Sequence, residues 1–397
     1  MKRLLLKNGR LILPDKILEQ GSLLIREGRI AEILAAGEKS GEMPDEEMNL
    51  EGDYLAPGFI DIHVHGGGGG DFMDADEESW RLAMGTHIKH GTTAMCPTTM
   101  AASKEELEAV FSLGRELAKS QECYLPRFLG LHMEGPYIAE SMKGAQDASY
   151  IKVPEEERVQ ELFQMSSGIL RILTAAPELP GGDILAREAK EAGILLSAGH
   201  SDARFEDVEK AVRNGYTMVT HLYSSMSTII RENGMRRPGL LEAALLLDEL
   251  DTEVIGDGMH LPISLLKLIV KTKGVDKILL VTDAMRGAGM GPGSYKLGSR
   301  KAGQTVYSDG TIARMPDGIS FAGSVATADR LIRVMHKEAG VPLWQAVAMM
   351  TKNPARALGE REIGTLTVGK KADLVVFDDQ IRIRQVYRDG MAFSLFS

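Results

Sequence analysis

Two histidines, His63 and His65, are separated by a single residue at the end of an apolar run that begins at Tyr54. Side chains alternate faces along a β-strand, so residues two apart point the same way and can bind one cation together. The pair indicates a metal site if other ligands reach the same place, and a structural role if none does. Five glycines, at positions 66–70, follow the pair and are expected to let a substrate approach the backbone closely.

Carboxylates and further histidines stand at the ends of later apolar runs. His221 ends one run, and Glu134, His200 and Asp283 stand one or two residues after three others. Histidine and carboxylate together suit zinc, iron, cobalt or manganese. These residues can share an ion only if the chain brings the run ends together, so the prediction depends on the elements that carry them.

Eight short apolar, β-branched runs recur along the chain, with charged helical patterns between them. The runs occupy residues 59–64, 92–97, 127–133, 169–175, 194–198, 218–221, 253–255 and 277–282. Strands that are apolar on both faces and alternate with amphipathic helices indicate a parallel sheet. Eight such units fit a closed (β/α)8 TIM-type barrel. An open doubly wound sheet is the alternative, but the sequence has no recognisable glycine-rich pyrophosphate fingerprint of that fold.

The two ends of the chain have a different pattern. Residues 1–55 and 360–397 alternate apolar and polar positions and contain hairpin-type turns, which is typical of antiparallel β-structure. We therefore expect a small β-sandwich domain built from both ends beside a catalytic barrel of residues 56–359. In such a barrel the carboxyl ends of the strands lie on one face, where the candidate ligands would converge.

Composition narrows the class of protein. The 397 residues carry a net charge of −10 and no basic block, which argues against nucleic acid as a partner. The only two cysteines, Cys96 and Cys123, exclude a disulfide framework and a cysteine-built zinc module, and they suit a reducing cytoplasm. The first apolar run is broken at Lys7 and no run reaches the ~18 residues that a membrane span needs. A cytoplasmic protein is expected.

The remaining histidines are weaker candidates for metal binding or catalysis. His87, His90 and His336 fall in helical patterns, where a structural or solvated role is expected. His132 lies two residues before Glu134, and either a supporting role beside that carboxylate or a purely structural role is open.

Several sequence motifs, in their order along the chain, resemble those of the amidohydrolase superfamily and, within it, of the N-acetylglucosamine-6-phosphate deacetylase family. The matching segments cover nearly the whole chain: Pro57-Gly-Phe-Ile-Asp-Ile-His-Val-His-Gly, His132-Met-Glu-Gly-Pro-Tyr, Lys143-Gly-Ala, Ala198-Gly-His-Ser, Thr220-His-Leu-Tyr, Asp257-Gly-Met-His, Val281-Thr-Asp-Ala-Met and Phe321-Ala-Gly-Ser. The resemblance implies hydrolysis of the N-acetyl amide of an amino-sugar 6-phosphate.

The resemblance also assigns the metal ligands. Glu134, His200 and His221 would bind the principal ion, while His63 and His65 would complete a second site that shares Glu134. One or two divalent ions are thus implied, zinc or iron first, with manganese or cobalt as alternatives. Asp283 would complete the ligand set and act as the catalytic residue.

The implied reaction begins with a water that the metal activates for attack on the acetamide carbonyl. Asp283 would take the proton of that water and deliver it to the departing amine, which leaves poorly unless protonated. A capping or ligand-only role is the structural alternative for Asp283.

The same resemblance implies substrate contacts at residues of several loops, namely Ala145, Gln146, Ser224, Ser225, Arg236, His260, Phe321, Ala322 and Gly323. Arg236 and His260 would hold the phosphate, with the His260 region of a homodimer contributing to the neighbouring site.

Two of these segments depart from the family pattern. Gln146 stands where the family usually has histidine, and Ser224 and Ser225 replace its usual Asn-Ala. Glutamine cannot carry a proton charge, and serine is shorter than asparagine. The sequence therefore predicts a retained reaction with a changed sugar or acyl group, such as N-acetylgalactosamine 6-phosphate. Alternatives are another amidohydrolase acting on an N-acyl amino acid, a cyclic amide or an unphosphorylated N-acyl sugar, and a non-catalytic binding protein on the same barrel.

Overall fold

Eight parallel strands form the centre of the molecule. The computed structural model describes residues 3–119 and 124–393, so Cys123 lies outside the described residues. The strands are β1 (Phe59–Val64), β2 (Thr92–Thr99), β3 (Leu131–Glu134), β4 (Leu170–Ala175), β5 (Leu195–Ala198), β6 (Tyr216–Val219), β7 (Asp251–Ile255) and β8 (Ile278–Val281). Each pairs in parallel with the next along the chain, from β1 to β8.

The sheet closes where β8 meets β1. A parallel bridge joins Val64 to Ala284, and the backbone N–H of Asp283 donates to the carbonyl oxygen of His63 at 2.9 Å. The predicted barrel is confirmed, and its closure places the residues that follow β8 beside the histidine pair of β1.

Helices cover the outside of the barrel. They are α1 (Glu77–Lys89), α2 (Lys104–Lys119), α3 (Glu156–Met165), α4 (Gly182–Ala192), α5 (Phe205–Arg213), α6 (Leu240–Leu246), α7 (Ile263–Lys273), α8 (Ala328–Arg333), α9 (Leu343–Ala348) and α10 (Lys352–Ala357). In α2 the buried residues Leu107, Val110 and Phe111 recur at helical spacing, so one stripe faces the core. None of the helices in the described ranges is both long and apolar enough to cross a membrane.

Both ends of the chain meet in one eight-stranded sheet beside the barrel. Its strands are Leu4–Ile12, Ile17–Arg26, Arg29–Leu34, Glu46–Asn49, Tyr54–Pro57, Leu374–Phe377, Ile383–Arg388 and Met391–Phe393. Leu374–Phe377 pairs antiparallel with Tyr54–Pro57, which joins the two ends. Residues such as Leu6, Leu23 and Leu374 form an apolar cluster of its own. The boundaries at 55/56 and 359/360 stay a prediction.

Two insertions follow barrel strands. An exposed hairpin, Ile230–Glu232 with Met235–Arg237, follows β6. A three-stranded sheet begins with Gly293–Leu297 after β8. Since loops at the carboxyl ends of barrel strands build the ligand sites of this fold, both insertions are placed to shape a site.

Candidate metal centre

Six predicted ligands converge at the carboxyl ends of the strands, and all six are buried: His63, His65, Glu134, His200, His221 and Asp283. His63 lies on β1 and Glu134 ends β3, while the others lie one or two residues beyond β1, β5, β6 and β8. The parallel order of the strands brings these side chains together from positions up to 220 residues apart, as the 2.9 Å hydrogen bond between Asp283 and His63 illustrates.

One oxygen of Glu134 faces two histidines. Oε1 lies 3.0 Å from Nε2 of His200 and 2.9 Å from Nε2 of His221, and the two Nε2 atoms are 3.1 Å apart. These three residues form a group whose ligand atoms could share one ion.

The histidine pair approaches both oxygens of the same carboxylate, with Nε2 of His63 3.6 Å from Oε1. Nε2 of His63 and Nε2 of His65 are 3.3 Å apart, and Nε2 of His65 lies 3.4 Å from Oε2 of Glu134. Oδ1 of Asp283 approaches His65 to 3.3 Å and His63 to 3.6 Å. With Glu134, the pair forms a second group of possible ligands, so one carboxylate connects both groups.

The hydrogen bonds behind the rings show that the centre suits a cation. Nδ1 of His200 lies 2.8 Å from the carbonyl oxygen of Met142 and must donate to it. In the neutral ring Nε2 then carries a lone pair, which faces the carboxylate oxygen of Glu134. Two electron-rich atoms at 3.0 Å repel each other unless a positive charge joins them. Divalent ions that bind nitrogen and oxygen at about 2.0–2.2 Å hold neighbouring ligands at similar separations.

Proton affinities indicate the same demand for positive charge. Burial by itself lowers the pKa of a histidine, but the carboxylates of Asp283 and Glu134 outweigh it and raise the pKa of His65 to about 10. For His221, Glu134 similarly overcomes burial and raises the pKa to about 9. For His63 burial prevails and lowers the pKa to about 4. The anionic side chains thus favour a positive charge on rings within the centre.

Sequence reasoning missed Glu253, a fully buried carboxylate on β7. Its Oε2 lies 2.9 Å from Nδ1 of His63 and accepts a hydrogen bond from the backbone N–H of His221 at 3.3 Å. Burial raises the pKa of Glu253 to about 7, and the charges of His132 and His221 act against that rise. A charged residue within a strand of the predicted barrel, whose strands are buried on both faces, was the available signal.

His132 does not support Glu134 through a hydrogen bond. Its two ring nitrogens lie 2.9 Å from the carbonyl oxygen of Ile62 and 2.7 Å from the hydroxyl of Thr174. Its ring instead packs against the ring of His63 at 4.5 Å between centroids. His132 therefore supports the metal centre by packing against the ring of His63.

Three candidate ligands occupy left-handed backbone conformations. The φ angles are 48° at His200, 26° at His221 and 47° at Asp283. Such conformations are unfavourable for non-glycine residues, at about 1–3 kcal/mol each, and they cluster at functional sites. The strain turns each side chain inward just after its strand ends.

A cavity of about 360 Å³ opens above the centre. Predicted substrate residues that line it are Ala145, Gln146, Ser224, Ser225, His260, Phe321 and Gly323. Ala322 is fully buried behind the wall, and Arg236 lies on the exposed hairpin after β6. Lining residues that sequence reasoning missed are Met100, Gly144, Tyr223, Leu297 and Ser320. The described residues that line the cavity include no lysine or arginine.

The glycine run at 66–70 does not border this cavity, so the expectation that it admits substrate is wrong. It forms a tight pair of strands against α1, where a Cβ at Gly70 would lie 2.0 Å from the carbonyl oxygen of Ser79. Beneath it, Nε2 of His87 lies 2.9 Å from the carbonyl oxygen of Gly66. His90 and His336 likewise have partners, at Asp329 and at the carbonyl oxygen of Val341.

The protein has a closed parallel barrel with a histidine–carboxylate centre at the carboxyl ends of its strands. It therefore falls in the class of barrel proteins whose site can hold metal ions. The chain belongs to the amidohydrolase family, whose model matches residues 54–394.

Relatives extend over nearly the whole chain. An N-acetylglucosamine-6-phosphate deacetylase of Lysinibacillus sphaericus is 35% identical over 94% of this chain and 93% of its own length. An N-acetylgalactosamine-6-phosphate deacetylase of a Shewanella strain is 31% identical over 94% of this chain and 93% of its own. A mutant N-acetyl-D-glucosamine-6-phosphate deacetylase from Mycobacterium smegmatis, solved in complex with N-acetyl-D-glucosamine-6-phosphate, superposes with a TM-score of 0.89, 29% identity and 99% of both chains covered.

Proposed function

We propose that this protein hydrolyses the N-acetyl amide of an amino-sugar 6-phosphate, releasing acetate and the amino-sugar phosphate. The observation that carries the proposal is the carboxylate of Glu134, whose two oxygens face histidines from three strands beneath a cavity of ligand size. Similarity to deacetylases of both acetylhexosamine 6-phosphates over more than nine-tenths of the chain supports the reaction and the substrate class.

Glu134, His200 and His221 would hold the principal divalent ion, and His63 and His65 a second one that shares Glu134. An ion bound there would lower the pKa of water and polarise the acyl carbonyl. The nitrogen-rich donor set suits zinc or iron, and manganese or cobalt accept the same donors.

Asp283 would move the proton that hydrolysis requires. It lines the cavity, 3.3 Å from His65. Burial alone would raise the pKa of Asp283, but the hydrogen bond with His65 and the nearby histidines hold it below its usual value. The carboxylate can therefore accept a proton from water at neutral pH and return it to the departing amine.

The polar walls of the cavity would hold the sugar. Gln146 offers an amide, Ser224 and Ser225 offer hydroxyls, and Ala145, Phe321 and Gly323 border the same space. Ala322, next to Phe321 in the chain, is fully buried.

Within one chain we assign the phosphate to His260, which lines the cavity. Its Nδ1 lies 2.9 Å from Oδ2 of Asp257. Burial by itself raises the pKa of Asp257, but its hydrogen bonds with His260 hold that pKa below its usual value. The contact with Asp257 fixes the orientation of the His260 ring in the cavity wall.

A homodimer would complete the phosphate site. No lysine or arginine lines the cavity among the described residues, and Arg236 projects from an exposed hairpin. A second subunit could bring Arg236 to the neighbouring cavity. His260 lines the cavity of its own chain, and a further contribution of its segment to a neighbouring site stays a prediction.

The absence of a cation from the cavity wall of the described chain also favours a second candidate, a related amidohydrolase whose substrate has no phosphate. Acetate release from four substrates tests both functions: the 6-phosphates of N-acetylglucosamine and N-acetylgalactosamine, free N-acetylglucosamine and an N-acetyl amino acid. We expect kcat/KM for the phosphates to exceed that for the free sugar about 10- to 100-fold, since charged hydrogen bonds contribute about 1.5–3 kcal/mol.

The altered residues Gln146 and Ser224 predict that the galactosamine form is preferred. A clear preference for the glucosamine form at high efficiency would contradict that shift alone. Equal hydrolysis of free and phosphorylated sugars would favour the second candidate, and no acetate from any of the four substrates would exclude the proposed deacetylation.

A further inference from the structure

Glu253 touches the candidate centre from below without lining the cavity. It is fully buried on β7, and one of its oxygens serves two partners. Oε2 lies 2.9 Å from Nδ1 of His63 and 3.3 Å from the backbone N of His221. Oε1 is buried and has no hydrogen-bond partner among the described residues. Both contacts are with residues of the centre, so the centre is where Glu253 acts.

The contact with His63 fixes the state of that ring. When Glu253 is ionised it only accepts, so Nδ1 of His63 carries the hydrogen and Nε2 carries the lone pair. That lone pair points to the space between His65, Glu134 and Asp283, at 3.3–3.6 Å from each. A carboxylate behind a histidine in this way orients the ring and raises its strength as a ligand.

Glu253 also changes the charge around the His63 ring. It adds a third carboxylate to Glu134 and Asp283, each 3.6 Å from Nε2. Asp61 is a fourth carboxylate nearby, and it already accepts hydrogen bonds from the hydroxyl and the backbone N–H of Thr282. A divalent ion held by His63 and His65 would supply the positive charge that this group of carboxylates favours.

We propose that Glu253 is a positioning residue that enables a second divalent ion to bind at His63 and His65. The inference rests on the metal centre of the proposed function. It concerns the number of ions, because the group of Glu134, His200 and His221 contacts Glu253 only through the backbone N–H of His221.

Zinc content per chain tests the inference without any substrate. Protein is stripped of metal, reconstituted with Zn²⁺ and analysed by mass spectrometry and calorimetric titration. We expect two ions in the wild type. Glu253→Gln keeps an acceptor for His63 but removes the charge, and it should weaken the second ion about 10- to 100-fold. Glu253→Leu removes both and should retain one ion.

Two further variants separate this role from a general effect on folding. Asp251→Asn removes another buried carboxylate of β7, which pairs with Arg356 away from the centre, and should keep both ions. Glu253→Asp keeps the charge on a side chain one methylene shorter and should bind the second ion with intermediate affinity. This variant keeps the inference testable if Glu253→Gln does not fold.

Wild-type affinity for both ions in Glu253→Gln and Glu253→Leu would overturn the inference, as would a wild type that binds one ion. A one-ion wild type that still releases acetate would leave the proposed reaction intact. Conversely, two ions that depend on Glu253 in a protein that releases no acetate would support the role of Glu253 and refute the proposed reaction.

Discussion

The amide of Gln146 is held between Ala101 and Glu134. The backbone N–H of Ala101 donates to Oε1 of Gln146 at 2.8 Å, so Nε2 must face the other way and donate to Oε2 of Glu134 at 2.7 Å. Because the backbone sets which end of the amide donates, Gln146 presents its NH₂ group to the carboxylate that connects both candidate ligand groups.

Replacing this amide should impair catalysis. Gln146→Leu removes the donor and leaves a buried carboxylate oxygen with less support, and hydrogen bonds to charged groups contribute about 1.5–3 kcal/mol. We expect kcat/KM on the preferred acetylhexosamine phosphate to fall about 10- to 100-fold. Gln146→His, which introduces the usual residue of the family, should keep a donor and move the preference toward the glucosamine form. Wild-type kinetics in the leucine variant would contradict this role.

Asp283→Asn should remove proton transfer while the principal ligand group stays complete. General acid–base catalysis contributes typically about 10²- to 10⁴-fold, so we expect kcat to fall by at least about 100-fold. Metal analysis of the same preparation should still find the ion that Glu134, His200 and His221 hold. Steady-state kinetics on the phosphorylated substrate measures the effect, and unchanged turnover would refute Asp283 as the acid and base.

Much of this architecture could be predicted from sequence because it follows from local patterns. Strands apolar on both faces indicated a parallel barrel, and the barrel rule placed residues such as His200 and Asp283 at one face. Glu253 was not predicted because the sequence does not show which way a single charged side chain on a strand points. Its contact with His63 spans 190 positions and depends on the closed barrel.

The cavity wall was less predictable for a different reason. Leu297 reaches it from an inserted sheet, and Met100 from a loop beyond β2, where neither side-chain direction nor loop path follows from periodicity. Arg236 shows the same difficulty, since the motif around it fixed the residue type but not whether the hairpin folds inward or outward.

The buried ring of His87 should make stability depend on pH. Burial lowers the pKa of His87 from 6.5 to about 4. The folded ring therefore stays neutral, while the unfolded chain takes up a proton below pH 6.5. Its contribution is full above pH 6.5 and is lost as pH falls toward 4, by up to about 3 kcal/mol at 1.4 kcal/mol per unit.

His87→Gln isolates this contribution, because its amide can still donate to the carbonyl oxygen of Gly66 but cannot take up a proton. Urea unfolding at pH 7.5, 5.5 and 4.5 measures the free energy of unfolding. We expect the loss between pH 7.5 and 4.5 to be smaller in the variant than in the wild type. Parallel pH profiles of the two proteins would show that His87 does not contribute.

Arg236→Ala tests the cation that the cavity of one chain does not contain. If Arg236 binds the phosphate from a neighbouring subunit, KM for the phosphorylated substrate should rise about 10- to 100-fold, with little change for the unphosphorylated sugar. Arg237→Ala is the matched control, because Arg237 is on the same hairpin and pairs with Glu232 at 3.2 Å. An equal effect of the two substitutions would point to the hairpin fold rather than to a phosphate contact.

Mixing two impaired variants decides whether Arg236 acts across subunits. Arg236→Ala keeps its own Asp283, and Asp283→Asn keeps Arg236, so a dimer of one of each contains one complete site if Arg236 reaches over. Co-refolded mixtures assayed at substrate concentrations below KM should then regain up to about one quarter of wild-type activity, because half of the dimers are mixed and each has one complete site of two. If a mixture that forms dimers recovers no activity, Arg236 does not contribute to the neighbouring site.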